Sequence, residues 1–161
     1  MKAVRRFVYL GSFEYFEDGA GTPEMREAQA SFSIQLQSGD YMTLRYLRDY
    51  ELIPRPFEIA TDVVVPVGGY DYQSGVVSYL FAQQRKIAGT LSYQEGSLYG
   101  GTKRTVGFSG SRIVLSSQFQ IEPGVSANWV SLPWGEFTST VVSTRHTYMV
   151  SPRMFMSALI Q

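Results

Sequence analysis

Apolar and polar residues alternate at period two along most of the chain, and helical periodicity is absent. In "AQASFSIQLQS" the residues Ala28, Ala30, Phe32, Ile34 and Leu36 share one side, and Gln29, Ser31, Ser33, Gln35 and Gln37 share the other. "IAGTLSYQ" separates Ile87, Leu91 and Tyr93 from Ala88, Thr90, Ser92 and Gln94, and "SRIVLSSQFQIE" sets Ile113, Leu115, Phe119 and Ile121 against Ser116, Gln118 and Gln120. Successive side chains of a strand point to opposite faces, so this alternation predicts β-strands with one oily face and one amide and hydroxyl face.

The pattern predicts nine strands, over 3–17, 26–38, 41–50, 71–84, 87–95, 103–109, 111–122, 136–150 and 153–161. Tight connections ("GD" at 39–40, "RK" at 85–86, "GS" at 110–111, "SP" at 151–152) take turns with longer ones ("DGAGTPEM", "ELIPRPFEIATDVVVPVGGY", "GSLYGGT", "PGVSANWVSLPWG"). Such alternation predicts an antiparallel up-and-down meander with short turns at one rim and working loops at the other. No fixed-period repeat, low-complexity tract or linker interrupts it, so residues 1–161 read as a single β-barrel segment.

Period two does not say which solvent the oily face meets. A soluble sandwich or small barrel turns it inward; an outer-membrane barrel turns it to lipid and lines a lumen with the polar face. Composition favours the second arrangement. Only 17% of residues are charged, and the polar faces carry Ser, Thr and Gln with scattered Arg45, Arg104 and Arg145, whereas a water-facing surface usually carries many Lys and Glu. Tyr15, Tyr46, Tyr93 and Tyr148 fall near strand ends on apolar faces, as an aromatic girdle requires. Several strands reach the roughly 9–11 residues needed to cross a bilayer tilted. The expected fold is therefore all-β, an antiparallel meander forming part or all of a transmembrane β-barrel, about 8–10 strands in this segment. An odd count of nine leaves the two ends on opposite sides, so either one strand is miscounted or the barrel is longer.

The balance of 14 basic and 14 acidic residues, without a long run of one sign, excludes the basic footprint of a nucleic-acid binder. With no cysteine, disulfides and thiolate chemistry are excluded. No apolar run is long enough for a transmembrane helix, which does not bear on β-spanning segments. "MKAVRRFVYLGSFEYFEDG" has basic residues but no apolar core or cleavage site of a signal peptide.

Candidate chemistry is sparse. The single histidine, His146, shares a face with Val142, Tyr148 and Val150 and has no Gly-x-Ser-x-Gly elbow or His-Glu-x-x-His motif to work with, so it reads as an interfacial imidazole. Arg45, Gln35, Gln37, Ser116, Gln118, Gln120 and Arg145 are candidates to line a lumen, with Asp49 a candidate partner of Arg45. The carboxylates Glu14, Glu17, Asp18, Glu51, Glu58 and Asp62 show no spacing that singles out a glycosidase pair. Tyr70, Tyr72, Tyr99, Trp129 and Trp134, in loops rich in aromatics, are candidates to stack on sugar rings or to anchor those loops. No catalytic residue, metal site or cofactor is expected.

Three stretches in order, "RPFEIATDVVVPVGGYDY", "GTLSYQEGSLYGGTKRT" and "WVSLPWGEFTSTVVSTRHTYMVSPRMFMSALIQ", carry a resemblance. Its features are Pro66, Gly68, Tyr70 and Tyr72; the Gly96 to Gly101 loop; the Leu132 to Phe137 turn; and the Arg145 to Phe155 run. Over most of residues 40–161 the chain resembles the C-terminal barrel region, a domain of unknown function, of bacterial proteins that carry an N-terminal family-nine carbohydrate-binding-like domain. The resemblance implies an outer-membrane location, an association with sugar binding or hydrolysis, and no catalytic residues to carry over. It also implies that residues 1–161 are a fragment, with the N-terminal domain, the export signal and the closing end lying outside them.

The resulting expectation is a membrane anchor or passage in the bacterial outer membrane, non-enzymatic in this segment. Its partners would be outer-membrane lipid, the N-terminal domain of the same protein and carbohydrate, with no nucleic acid. The alternatives are a soluble β-barrel or sandwich that binds carbohydrate and, third, a glycosidase-like hydrolase.

Overall fold

The computed structural model describes residues 3–151 and 153–161; Pro152 of the expected Ser-Pro turn lies outside them. The chain forms eleven strands: β1 (Val4–Glu17), β2 (Pro23–Leu36), β3 (Tyr41–Ile53), β4 (Phe57–Ala60), β5 (Val63–Val65), β6 (Gly68–Phe81), β7 (Ile87–Leu98), β8 (Gly101–Val114), β9 (Phe119–Leu132), β10 (Gly135–Ser151) and β11 (Met154–Ile160). Nine of them make one antiparallel sheet in the order β1-β2-β3-β6-β7-β8-β9-β10-β11, while β4 and β5 pair as a separate hairpin. The fold is the expected all-β meander.

Two boundaries differ from the sequence reading. The Gly110–Ser111 pair is not a turn. β8 runs through it, and the ladders shift register there, between Ala88 and Thr90 on β7 and between Phe108 and Ile113 toward β9. The glycine serves a bulge, with φ of 55° at Gly110. The reversal comes later, at 115–118, where Ser116 Oγ accepts the N–H groups of Gln118 and Phe119 at 3.2 and 3.0 Å. Consequently "PGVSANWVSL" is strand rather than loop. Pro123 is tolerated inside β9 because it lies opposite the bulge, where the ladder with β8 is interrupted.

The expected alternation of long and short connections is also corrected. Two-residue turns join β7 to β8 at 99–100 and β9 to β10 at 133–134, and only 54–67 is long, because it holds β4 and β5. The first of these turns has positive φ at both Tyr99 (47°) and Gly100 (75°), the conformation of a tight hairpin whose twist matches its strands.

The register divides the sheet into two faces. On one face the row Tyr9–Phe32–Leu44–Val77–Tyr93–Val106–Ala127–Thr140 crosses eight strands, and Phe7–Ile34–Met42–Tyr79–Leu91–Phe108–Val125–Val142 runs beside it. On the other face lies Ser31–Arg45–Val76–Gln94–Thr105–Asn128–Ser139. The apolar face is the exposed one: Tyr9 is 76% exposed, and Leu44, Val77 and Tyr93 lie between 41% and 45%. In the middle strands the polar side chains are half-buried instead, as at Thr43, Ser78, Ser92, Gln94, Thr105 and Asn128.

The sheet curls toward its polar face, and the buried apolar cluster sits within that curl. Ile53 of β3, Val63 and Val65 of β5, Tyr99, and Val130 and Leu132 of β9 form it. β3 and β9 are four strand spacings apart, about 19 Å along the sheet, and the β4–β5 hairpin bridges them across the concavity. Val65 is fully buried.

The sheet does not close. Among the described residues β1 pairs only with β2 and β11 only with β10. With nine strands in an antiparallel order, these two edges run parallel to each other, and of the two arrangements the sequence left open, part or all of a barrel, the described residues do not form the closed one.

Candidate functional site

The apolar face changes character toward one end of the strands. There Arg26 approaches Asp71 at 3.5 Å and Arg104 bonds Glu95 at 2.8 Å. Aromatic side chains mark the boundary. The Tyr93 hydroxyl donates to Glu95 Oε2 at 2.8 Å and the Tyr46 hydroxyl to Gln73 Oε1 at 3.0 Å. Arg26 lies 5.3 Å from the centre of the Tyr50 ring, and Trp129 stands in register beside Arg104. Rings lie on the apolar side and their polar tips meet a line of balanced ion pairs, the arrangement of amphipathic aromatics at a boundary between apolar and wet surroundings. Inside that boundary Gly75 leaves an open apolar groove of about 710 Å³ among Tyr9, Phe32, Leu44, Val77 and Tyr93.

The lumen candidates are placed unevenly. Gln35, Arg45, Gln120 and Arg145 project from the polar face; Gln35 is buried, and Arg145 lies 3.7 Å from Glu122. Gln37 follows the end of β2, and Ser116 and Gln118 belong to the 115–118 turn rather than to a strand face. Arg45 and Asp49 form no ion pair among the described residues.

Four of the five aromatic candidates come together. Tyr99, swung over the polar face by its left-handed backbone, meets Tyr70 and Tyr72 edge-on at 5.2 and 5.3 Å and Phe57 at 5.7 Å; Trp134 meets Tyr70 at 6.3 Å. Tyr72 and Tyr99 both donate to Glu51 Oε2, at 3.0 and 3.3 Å, and Tyr70 donates to the Pro66 carbonyl. Tyr99 is 8% exposed. These rings present edges and faces to one another and close the packing of the β4–β5 hairpin. Trp129 is on the opposite face.

His146 lies on the apolar face opposite Ile121 and Ala158, stacked on Phe119 at 6.1 Å, while Arg145 faces the other way. Of the carboxylates, Asp18 Oδ1 accepts the N–H groups of Thr22 and Ala20, both at 2.8 Å, which lower its carboxyl pKa. Glu58 accepts the Asp62 N–H, and Glu51 is held by the two tyrosines. Among the described residues no group of three His, Asp or Glu is arranged to hold a metal ion.

Sequence reasoning missed Asp40, which reads as the second residue of a tight turn. Its carboxylate is 1% exposed. It accepts the Ala82 N–H at 2.8 Å, the Ser38 hydroxyl at 2.8 Å, the Tyr79 hydroxyl at 3.0 Å and both Nε and Nη2 of Arg85. It thereby joins the β2–β3 turn to the β6–β7 turn. The Ala82 N–H, seconded by Ser38, Arg85 and Tyr79, holds the carboxyl at about 2 although burial opposes ionisation. Asp in a turn is too common a signal to reveal a partner 42 residues away.

The chain matches no protein-family model, no curated protein and no solved structure.

Proposed function

We propose that this chain is a lipid-embedded segment of a bacterial outer-membrane β-barrel that serves as a membrane anchor. One observation carries the reading: the apolar rows lie on the exposed outer side of a curled sheet, and the polar rows lie within the curl. A soluble sheet of this curvature would bury the apolar side; lipid is the solvent that favours the reverse. The line of ion pairs and tyrosines ending the apolar rows supports the reading as an interfacial belt. An anchor fits better than an open passage because the β4–β5 hairpin lays Val63 and Val65 across the polar trough. Carbohydrate remains the partner of the alternative soluble reading, and the engagement of Tyr70, Tyr72 and Tyr99 with one another weighs against it.

The two tryptophans provide the test, because they stand on opposite sides of the sheet. The chain is exported in a Gram-negative host with an added signal sequence, outer membranes are isolated, and single-tryptophan variants are refolded into vesicles with lipid-borne quenchers. Trp129 (in Trp134→Phe) is expected to emit blue-shifted light and be quenched by lipid. Trp134 (in Trp129→Phe) is expected to be quenched much less. Recovery as a monodisperse water-soluble protein, or equal quenching of both, overturns the proposal.

A further inference from the structure

The polar face contains a place where the regular strand pairing of the sheet ends. The β6–β7 ladder runs from Phe81↔Gly89 to Ser74↔Gly96 and stops, although β6 continues to Gly68 and β7 to Leu98. Beyond that point Ser97 Oγ, not a backbone carbonyl, accepts the Gln73 N–H at 2.8 Å. A cavity of about 170 Å³ lies at this end of the ladder, lined by Asp49, Tyr72, Ser74, Gln94 and Lys103 with the backbone around Gly96. Its size matches roughly five or six water molecules.

The charges in this cavity are opposed and do not meet. Asp49 enters from β3 and Lys103 from β8, both half-buried, and neither belongs to an ion pair among the described residues. Half-burying two charges without bringing them together loses hydration and recovers little attraction. The polarity is directional. Glu14, Glu27 and Asp49 stand in register on the same face, making the β1–β3 side negative, and Lys103 provides the positive charge opposite. Between them Gln94 Nε2 donates to Ser74 Oγ at 3.1 Å, which leaves the Gln94 carbonyl and the Ser74 O–H for a ligand. Tyr72, tied to Glu51, bounds the space.

We infer that this cavity binds a small zwitterion of the free α-amino-acid class, its ammonium on Asp49 and its carboxylate on Lys103. The cavity is on the polar face whichever solvent covers the other face, so the inference does not depend on the membrane reading.

The test uses the 161-residue chain in detergent micelles, titrated with L-serine and followed by calorimetry and by amide NMR shifts near Ser74, Gln94 and Gly96. Saturable binding is expected, weakened at least tenfold by Asp49→Asn and by Lys103→Met. N-acetylserine, which lacks the ammonium, and ethanolamine, which lacks the carboxylate, are each expected to bind at least tenfold more weakly than serine. These two probes test the inference on the unaltered chain, should either variant fail to fold. No saturable binding of serine, or equal binding of serine and both probes, overturns it.

Discussion

Asp40 shows how one side chain can hold together elements the alternation pattern treats as independent. Replacing it with Ala leaves the buried Ala82 N–H without an acceptor and the Arg85 guanidinium without its partner, and is expected to destabilise the fold by about 1–3 kcal/mol in denaturant titration. The pH dependence has a definite sign. The folded carboxyl sits at about 2 against an ordinary 3.8, so its stabilisation is fully present above 3.8 and is lost as pH falls through about 2. An acid titration of stability should therefore be flatter in Asp40→Asn than in the parent across that window. At this scale the sequence was least informative. Gln35 and Arg45 are on the face that alternation assigns to them, whereas Asp40 and Tyr99 take their roles from partners far along the chain.

At the scale of elements, β2 and β7 were legible because their alternation is strict. β8 and β9 were misdivided because glycine serves a bulge as readily as a turn, and because Pro123 next to Gly124 imitates a loop. The β4–β5 hairpin was read as part of a long connection, since two strands of four and three residues leave too short a pattern. Its packing is testable. Val65→Ala is expected to cost roughly 2 kcal/mol, and Val65→Asp to release the hairpin, exposing 54–67 to limited proteolysis while the main sheet keeps its circular dichroism. Close backbone approach is testable too: a Cβ at residue 101 would lie 2.0 Å from the Ser131 carbonyl oxygen. Gly101→Ala is accordingly expected to lower the melting temperature and to weaken amide protection at the β8–β9 end of the ladder.

At the scale of the whole molecule, the two faces of the sheet make opposite predictions about an added charge. Val77→Arg, in the middle of the exposed apolar row, is expected to cost about 2–4 kcal/mol of lipid-embedded stability, whereas Ser139→Arg on the polar face should change it by no more than about 0.5 kcal/mol. Equilibrium unfolding in lipid vesicles measures both, and equal small effects would count against lipid on the apolar face. The sequence by itself determined a nine-stranded antiparallel sheet with one apolar and one polar face, because strand side chains alternate regardless of what surrounds them. Only the tertiary structure decided that the polar face lies inside the curl, that a hairpin crosses it and that the edges stay apart. Curvature arises from bulges such as that at Gly110 and from packing between β3, β5 and β9, contacts between residues too distant in sequence for any local period to encode.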